Sequence, residues 1–134
     1  MKTILLIEDD YLDVESVRRS FKKLNIDHKI YVAHNGVDAI DLLTREENKI
    51  IPDIILLDIN MPKMNGLEFL QIVKNYYSLK NIQTFIITTS AEEYDKIATQ
   101  HLGVAGYILK PLDFKLTDTP DVRKLMQALS IVSL

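Results

Sequence analysis

The sequence predicts an α/β protein, a parallel sheet with helices on both faces. Three observations predict it. Short apolar runs of strand length alternate five times with stretches that keep helical spacing. The run Ile54-Ile55-Leu56-Leu57, bounded by Pro52 and by turn residues, is apolar throughout, as in a strand buried on both faces. Each pair of successive strands is separated by a helical stretch, the crossover that parallel pairing requires. Such crossovers are right-handed.

Lys2 to Ile7 reads as the first strand, closed by Glu8-Asp9-Asp10. Tyr11 to Leu24 follows as a helix, with Leu12, Val14, Val17, Phe21 and Leu24 roughly at helical spacing. Arg18, Arg19, Lys22 and Lys23 sit in its last turns, where cations suit the helix dipole. Asp10 is its N-cap, and Asn25 is a stop. Lys29 to Ala33 is the second strand, rich in β-branched and aromatic residues. After the turn His34-Asn35-Gly36, Val37, Ala39, Ile40, Leu42 and Leu43 mark the second helix. Arg45 to Lys49 is a charged connection ended by Pro52. The third strand is Asp53 to Leu57. Beyond a loop ending at Gly66, Leu67 to Tyr77 is the third helix, with Phe69, Leu70, Ile72 and Val73 as its buried side. Thr84 to Thr88 is the fourth strand. Ala91 to Leu102 is the fourth helix, stopped by Gly103. Tyr107 to Leu109 is the fifth strand, broken by Lys110-Pro111. Thr119-Pro120 starts the fifth helix, lined by Val122, Leu125, Met126, Leu129 and Val132.

Composition narrows the function. At 134 residues, one domain over 1–134 is expected, and 47% apolar with 26% charged residues suits an ordinary globular core. A net charge of -3 gives no basic footprint, so no nucleic-acid partner is expected. The absence of cysteine excludes disulfides and thiolate metal sites. No apolar run reaches membrane-spanning length, and MKTILLIEDD is too short and too acidic for a signal peptide. A cytoplasmic protein with no membrane partner is expected. The histidines His28, His34 and His101 have no partner spacing and read as surface residues.

Four strands end on polar residues: Glu8-Asp9-Asp10, Asp58, Thr88-Thr89-Ser90 and Lys110. In a parallel sheet these ends share one edge, where ligands gather. Taken singly, each has an ordinary explanation. An acidic turn commonly starts a helix, a threonine commonly caps a strand, and a lysine beside proline commonly faces solvent. Together they make a restrictive cluster. Crowded carboxylates raise one another's pKa unless a cation intervenes. Oxygen ligands alone suit a hard cation such as Mg²⁺, which keeps several waters. Asp9 and Asp58 could hold it, with Lys110 as a second positive charge and Thr88 as a hydroxyl donor. Those are the parts of a phosphoryl-transfer site, with Asp58 as nucleophile forming an acyl phosphate.

The chain resembles the receiver domain of two-component response regulators, of the single-domain chemotaxis-regulator type. Glu8-Asp9 match the acidic pair after the first strand, and Asp58 matches the phosphoacceptor. Asn60-Met61-Pro62 and Gly66 match the loop D-x-x-M-P-x-x-x-G, Thr88 the hydroxyl residue after the fourth strand, and Lys110-Pro111 the Lys-Pro pair. Tyr107 falls on the switch aromatic. The resemblance covers essentially the whole chain. It implies a doubly wound, five-stranded, flavodoxin-like (βα)5 fold with strand order 2-1-3-4-5. It implies transfer of a phosphoryl group from the phosphohistidine of a sensor histidine kinase onto Asp58. Mg²⁺ would be held by Asp9, by Glu8 through water, by Asp58 and by the Asn60 backbone carbonyl. Lys110 would pair with Asp58, Thr88 would bond a phosphoryl oxygen, and Tyr107 would move inward. The surface of the fourth helix, fifth strand and fifth helix would then change for partners. The Lys110-Pro111 peptide would be cis.

Departures from the commonest pattern concern tuning. The first acid is Glu8 rather than Asp. Thr89 stands where a smaller residue is common, and Asn60 and Ser90 occupy positions that tune phosphoryl lifetime. The long connection from Thr44 to Ile51 is similar to that of regulators paired with phytochrome-type and other hybrid kinases. With the chain ending at Leu134 and no output domain recognisable, output is expected through a downstream protein or by relay to a phosphotransfer protein. Ile131, Val132 and Leu134 leave a homodimer open. Three other readings share parts of the pattern. A Mg²⁺-dependent aspartyl-nucleophile phosphohydrolase would need a second Asp where Asn60 stands, as general acid. A phosphorylation-independent docking module would commonly have lost one of the site residues. A flavodoxin-like cofactor binder would need a phosphate-cradling loop where Glu8-Asp9-Asp10 lie.

Overall fold

The computed structural model describes residues 1–24, 27–59, 66–88, 103–114 and 119–129. Five strands form one parallel sheet in the order β2-β1-β3-β4-β5. They are β1 (Lys2–Ile7), β2 (His28–Ala33), β3 (Ile54–Asp58), β4 (Gln83–Thr88) and β5 (Gly106–Leu109). The described helices are α1 (Tyr11–Leu24), α2 (Gly36–Thr44), α3 (Gly66–Asn75) and α4 (Pro120–Ala128), the last being the fifth helix of the sequence pattern. The fourth of that pattern, Ala91–Leu102, lies outside the described residues, as do Asn25, Asn60, Met61, Pro62, Thr89, Ser90, His101, Ile131, Val132 and Leu134. Gly103, its expected stop, has φ of 71°, a left-handed conformation open to glycine.

The sheet divides the core in two. On one face Ile4, Leu6, Ile54, Leu56, Phe85, Ile87 and Ile108 pack against Val14, Val17 and Phe21 of α1 and Val122 and Leu125 of α4. On the other, Leu5, Ile7, Ile55, Leu57 and Ile86 pack against Ala39 and Leu43 of α2 and Phe69, Leu70 and Val73 of α3. This is why the strands read as unbroken apolar runs: alternate side chains point to opposite faces, and helices cover both.

Local chemistry fixes the element ends. Asp10 Oδ1 accepts hydrogen bonds from the Leu12 and Asp13 amides at 2.8 and 3.3 Å, the N-cap of α1. Asn35 caps α2 by accepting from the Asp38 amide at 2.9 Å. Thr119 caps α4, with Pro120 at its start. The Asp53 carboxylate accepts from the Thr3 amide at 2.8 Å, and the Asp53 amide donates to the Thr3 carbonyl, pinning β1 against β3. In the long α2–β3 connection, Arg45 donates through two nitrogens to the Asn48 carbonyl, and the Ile50 amide returns to the Leu42 carbonyl.

Three expectations need correction. Leu12 does not share the face of Val14, Val17 and Phe21: two residues before Val14, it points away from them and is 74% exposed. The third helix ends at Asn75 rather than Tyr77, and Tyr76 and Tyr77 are exposed in the turn that follows. His28 is not a surface residue but begins β2, half-buried, its ring 5.5 Å from that of Phe21.

One core feature is unfavourable. Thr84 in β4 is 1% exposed, and among the described residues its hydroxyl has no hydrogen-bond partner. An unpaired buried hydroxyl costs free energy. Thr84→Val keeps the shape and the β-branch, and is expected to raise stability by about 1 kcal/mol, read as a higher urea midpoint at unchanged slope. A lower midpoint would contradict the assignment.

Candidate metal and acceptor site

The site lies at the carboxyl edge of the sheet. Ladder bonds continue past the strands and fix the residues that follow them. The Glu8 amide donates to the Ala33 carbonyl, and the Lys110 amide to the Thr88 carbonyl, each at 2.9 Å. Side-chain alternation then decides which way each residue faces. Glu8, Asp58 and Lys110 carry the parity of Leu6, Leu56 and Ile108, the α1 face of the sheet. Thr88 and Tyr107 carry the parity of Ile86, the α3 face. Tyr107 pairs with Ile86 in the β4–β5 register and is half-buried; Thr88 is buried.

Glu8, Asp9 and Asp58 each offer a carboxylate oxygen, all within 4.8 Å of one another. Glu8 is fully buried, Asp58 nearly so, and Asp9 is exposed, so the group opens to solvent on one side. The ammonium of Lys110 is threaded into this group. It contacts Glu8 Oε1, donates to Asp13 Oδ2 at 2.8 Å, and lies 3.6 Å from Asp58 Oδ2. Burial pushes the Glu8 carboxyl up to about 8, and its hydrogen bond with Asp58 pushes the same way. Lys110 pulls in the opposite direction and is outweighed. Lys110 shows the converse balance. Burial lowers its pKa, but hydrogen bonds to Asp13 and Glu8 and the Asp58 charge together raise it above the usual lysine value.

The donor set fits a divalent cation. It is all oxygen, which suits a hard ion. Its oxygens come from three side chains within 4.8 Å of one another, close enough to share one ion. The loop glycine also fits: a Cβ on Gly66 would come 2.7 Å from Ile59 Cα and 3.1 Å from the Asp58 carbonyl oxygen. Any side chain there would clash with the backbone at the end of β3. The Lys110-Pro111 peptide is cis.

Of the residues the sequence singled out, Glu8, Asp9, Asp58 and Lys110 converge, with Thr88 at the end of the neighbouring strand. Asp10 caps α1 and stays out of the carboxylate group, as expected. Asn60 lies outside the described residues. The sequence reading missed Asp13. It stands 97 positions from Lys110 and reads as an ordinary acid in a first helical turn. Its position three residues past the Asp10 cap was the available signal.

A five-stranded parallel α/β fold with acids and a lysine at its carboxyl edge presents an all-oxygen cluster suited to a hard divalent cation. The family model described as "Response regulator receiver domain" matches residues 4–128. The chain belongs to that family, the phosphorylation-dependent signalling receivers of two-component systems. It is 36% identical over 131 residues to response regulator Rcp1 of Synechocystis sp., covering 96% of this chain and 86% of that protein. A two-component response regulator from Legionella pneumophila superposes with a TM-score of 0.83 at 40% identity, over 97% of this chain and 98% of the other. The Mn²⁺-bound form of Rcp1 superposes at 0.79 with 32% identity, over 100% and 97%. The bacteriophytochrome response regulator AtBRR superposes at 0.80 with 32% identity, over 100% and 96%. Among the described residues, no helix is long and apolar enough to cross a membrane.

The Glu8 shift has a consequence for stability. Folded Glu8 keeps its proton to about pH 8, whereas an ordinary glutamate loses it near 4.5. Between those values the unfolded chain binds fewer protons than the folded one, so stability falls as pH rises. Glu8's favourable contribution is complete below the lower value and gone above the higher one. In EDTA, the urea midpoint of wild type relative to Glu8→Gln is expected to fall from about pH 5 to about pH 8. A constant difference across that window would contradict it.

Proposed function

We propose that residues 1–134 form a single receiver domain in which Asp58 is the phosphoryl acceptor. The observation that carries this is the placement of a nearly buried Asp58 between two further carboxylates and an ammonium at one sheet edge. A carboxylate oxygen of Asp58 attacks phosphorus. The bond from phosphorus to the donor's imidazole nitrogen breaks, and its electron pair stays on the imidazole. Neither oxidant nor reductant is needed. Lys110 faces the incoming negative charge. Thr88 donates its hydroxyl to a phosphoryl oxygen, and Tyr107, on the same face of the sheet as Thr88, follows inward. Glu8, Asp9, Asp58 and the Asn60 backbone carbonyl would hold Mg²⁺, which when bound supplies positive charge to the transferring phosphoryl oxygens.

The proposed donor is a sensor histidine kinase, and the likeness to a bacteriophytochrome response regulator supports a phytochrome-type or hybrid kinase. The proposed output is contact with a downstream protein, or relay to a phosphotransfer protein, in the cytoplasm. The domain phosphorylates itself from a donor and loses the group slowly, without turning over an external substrate. Asn60, where aspartyl phosphohydrolases need a carboxylic acid, supports that reading.

Incubation with acetyl phosphate and Mg²⁺, read by intact-protein mass, is expected to add one phosphoryl group. EDTA and Asp58→Asn are each expected to abolish the gain. A gain that survives both would place the acceptor elsewhere.

A further inference from the structure

We propose that Asp13 is a positioning residue that holds Lys110 toward α1, in competition with the phosphoryl group on Asp58. The inference rests on the reading of Asp58 as acceptor. Its first observation is distance. Lys110 Nζ donates to Asp13 Oδ2 at 2.8 Å, while Asp58 Oδ2 lies at 3.6 Å, beyond a proper hydrogen bond. In this state the lysine belongs to Asp13 and Glu8 more than to the acceptor.

The second observation is what Asp13 does not do. Among the described residues, the carboxylates gathered as a cation group are Glu8, Asp9 and Asp58, and Asp13 is not among them. A cation there would draw on Glu8 and Asp58 and leave Asp13 bound to the lysine. Asp13 is therefore the counter-charge that Lys110 keeps whatever the metal occupancy.

The third observation is rigidity. Asp13 is in the first turn of α1, its amide on the Asp10 cap, and the next residue, Val14, is in the core. The carboxylate is anchored while the lysine side chain is long.

An ammonium has three donor hydrogens, and Glu8 and Asp13 occupy two. A phosphoryl group on Asp58 brings oxygens of higher negative charge, and Lys110 reaches them by loosening its bond to Asp13. The Asp13 charge also adds to those of Asp9 and Asp58 facing an incoming anionic donor. Neutralising Asp13 acts in one direction on both counts. It frees the lysine and lowers the repulsion. In the acetyl phosphate reaction, Asp58 bonds to phosphorus and acetate leaves with the electron pair of the broken P–O bond. No proton passes through Asp13.

The test compares wild type, Asp13→Asn and Asp13→Glu at saturating Mg²⁺. It reads the phosphorylation rate with acetyl phosphate and the affinity for beryllium trifluoride by calorimetry. Asp13→Asn is expected to be phosphorylated about five-fold faster and to bind beryllium trifluoride about five-fold more tightly. Asp13→Glu is expected to return both toward wild type, which a merely structural perturbation would not do. Should Asp13→Asn fail to fold, Asp13→Ser removes the same charge from a side chain one-third exposed and carries the same expectation. A rate and affinity equal to or below wild type, with wild type itself active, would overturn the role of Asp13 alone. A wild type that neither gains a phosphoryl group nor binds beryllium trifluoride would overturn the acceptor reading and this inference with it.

Discussion

One ammonium among carboxylates from three separate elements is the interaction on which this site depends. Lys110 follows β5, Glu8 follows β1, Asp58 ends β3, and Asp13 comes from α1. Only a parallel sheet with its strand ends in step brings these positions together. Their charges would otherwise drive them apart. Burial, and after it the neighbouring Asp58, push the Glu8 carboxyl up to about 8. The fold holds this concentration of negative charge because the rest of the sheet is apolar on both faces, and that burial offsets the electrostatic cost at the edge. The result is a site poised for a cation.

The parity of the strands gives the edge two sides. Glu8, Asp58 and Lys110 follow the α1 face, whereas Thr88 and Tyr107 follow the other. A group added to Asp58 therefore stands where both sets can meet it. Tyr107 also has a link in the opposite direction. Its backbone amide donates to Asp121 Oδ2 at 2.9 Å, which ties the middle of β5 to the first turn of α4. Since β5 is the edge strand, this carboxylate also covers a donor that another chain could otherwise pair with. Movement of Tyr107 would be felt by α4 through that bond.

Much of this was legible in the sequence because fully buried strands leave a plain signature. The run Ile54–Leu57 needs apolar residues at every position, and its boundary at Asp58 follows from the change to polar residues. The cap at Asp10 and the pair Thr119-Pro120 were legible for the same local reason. Leu12 was misgrouped because it is apolar, although its position two residues before Val14 puts it on the opposite side of the helix. Asp13 was missed because its partner lies across the fold. Helix-dipole chemistry explains an acid at that position equally well, and only three-dimensional placement shows the lysine beside it. Thr84 was missed as a destabilising residue because threonine is at home in strands, and its lack of a partner is a tertiary fact.

The most direct measurement is chemical location of the phosphoryl group. Protein treated with acetyl phosphate and Mg²⁺ would be reduced with borohydride, which converts an aspartyl phosphate to homoserine, and the peptides sequenced by mass spectrometry. The account predicts homoserine at position 58 and nowhere else, and none when EDTA is present. Homoserine at Asp9, Asp10 or Asp13, or a phosphoryl group found on a histidine, would contradict it.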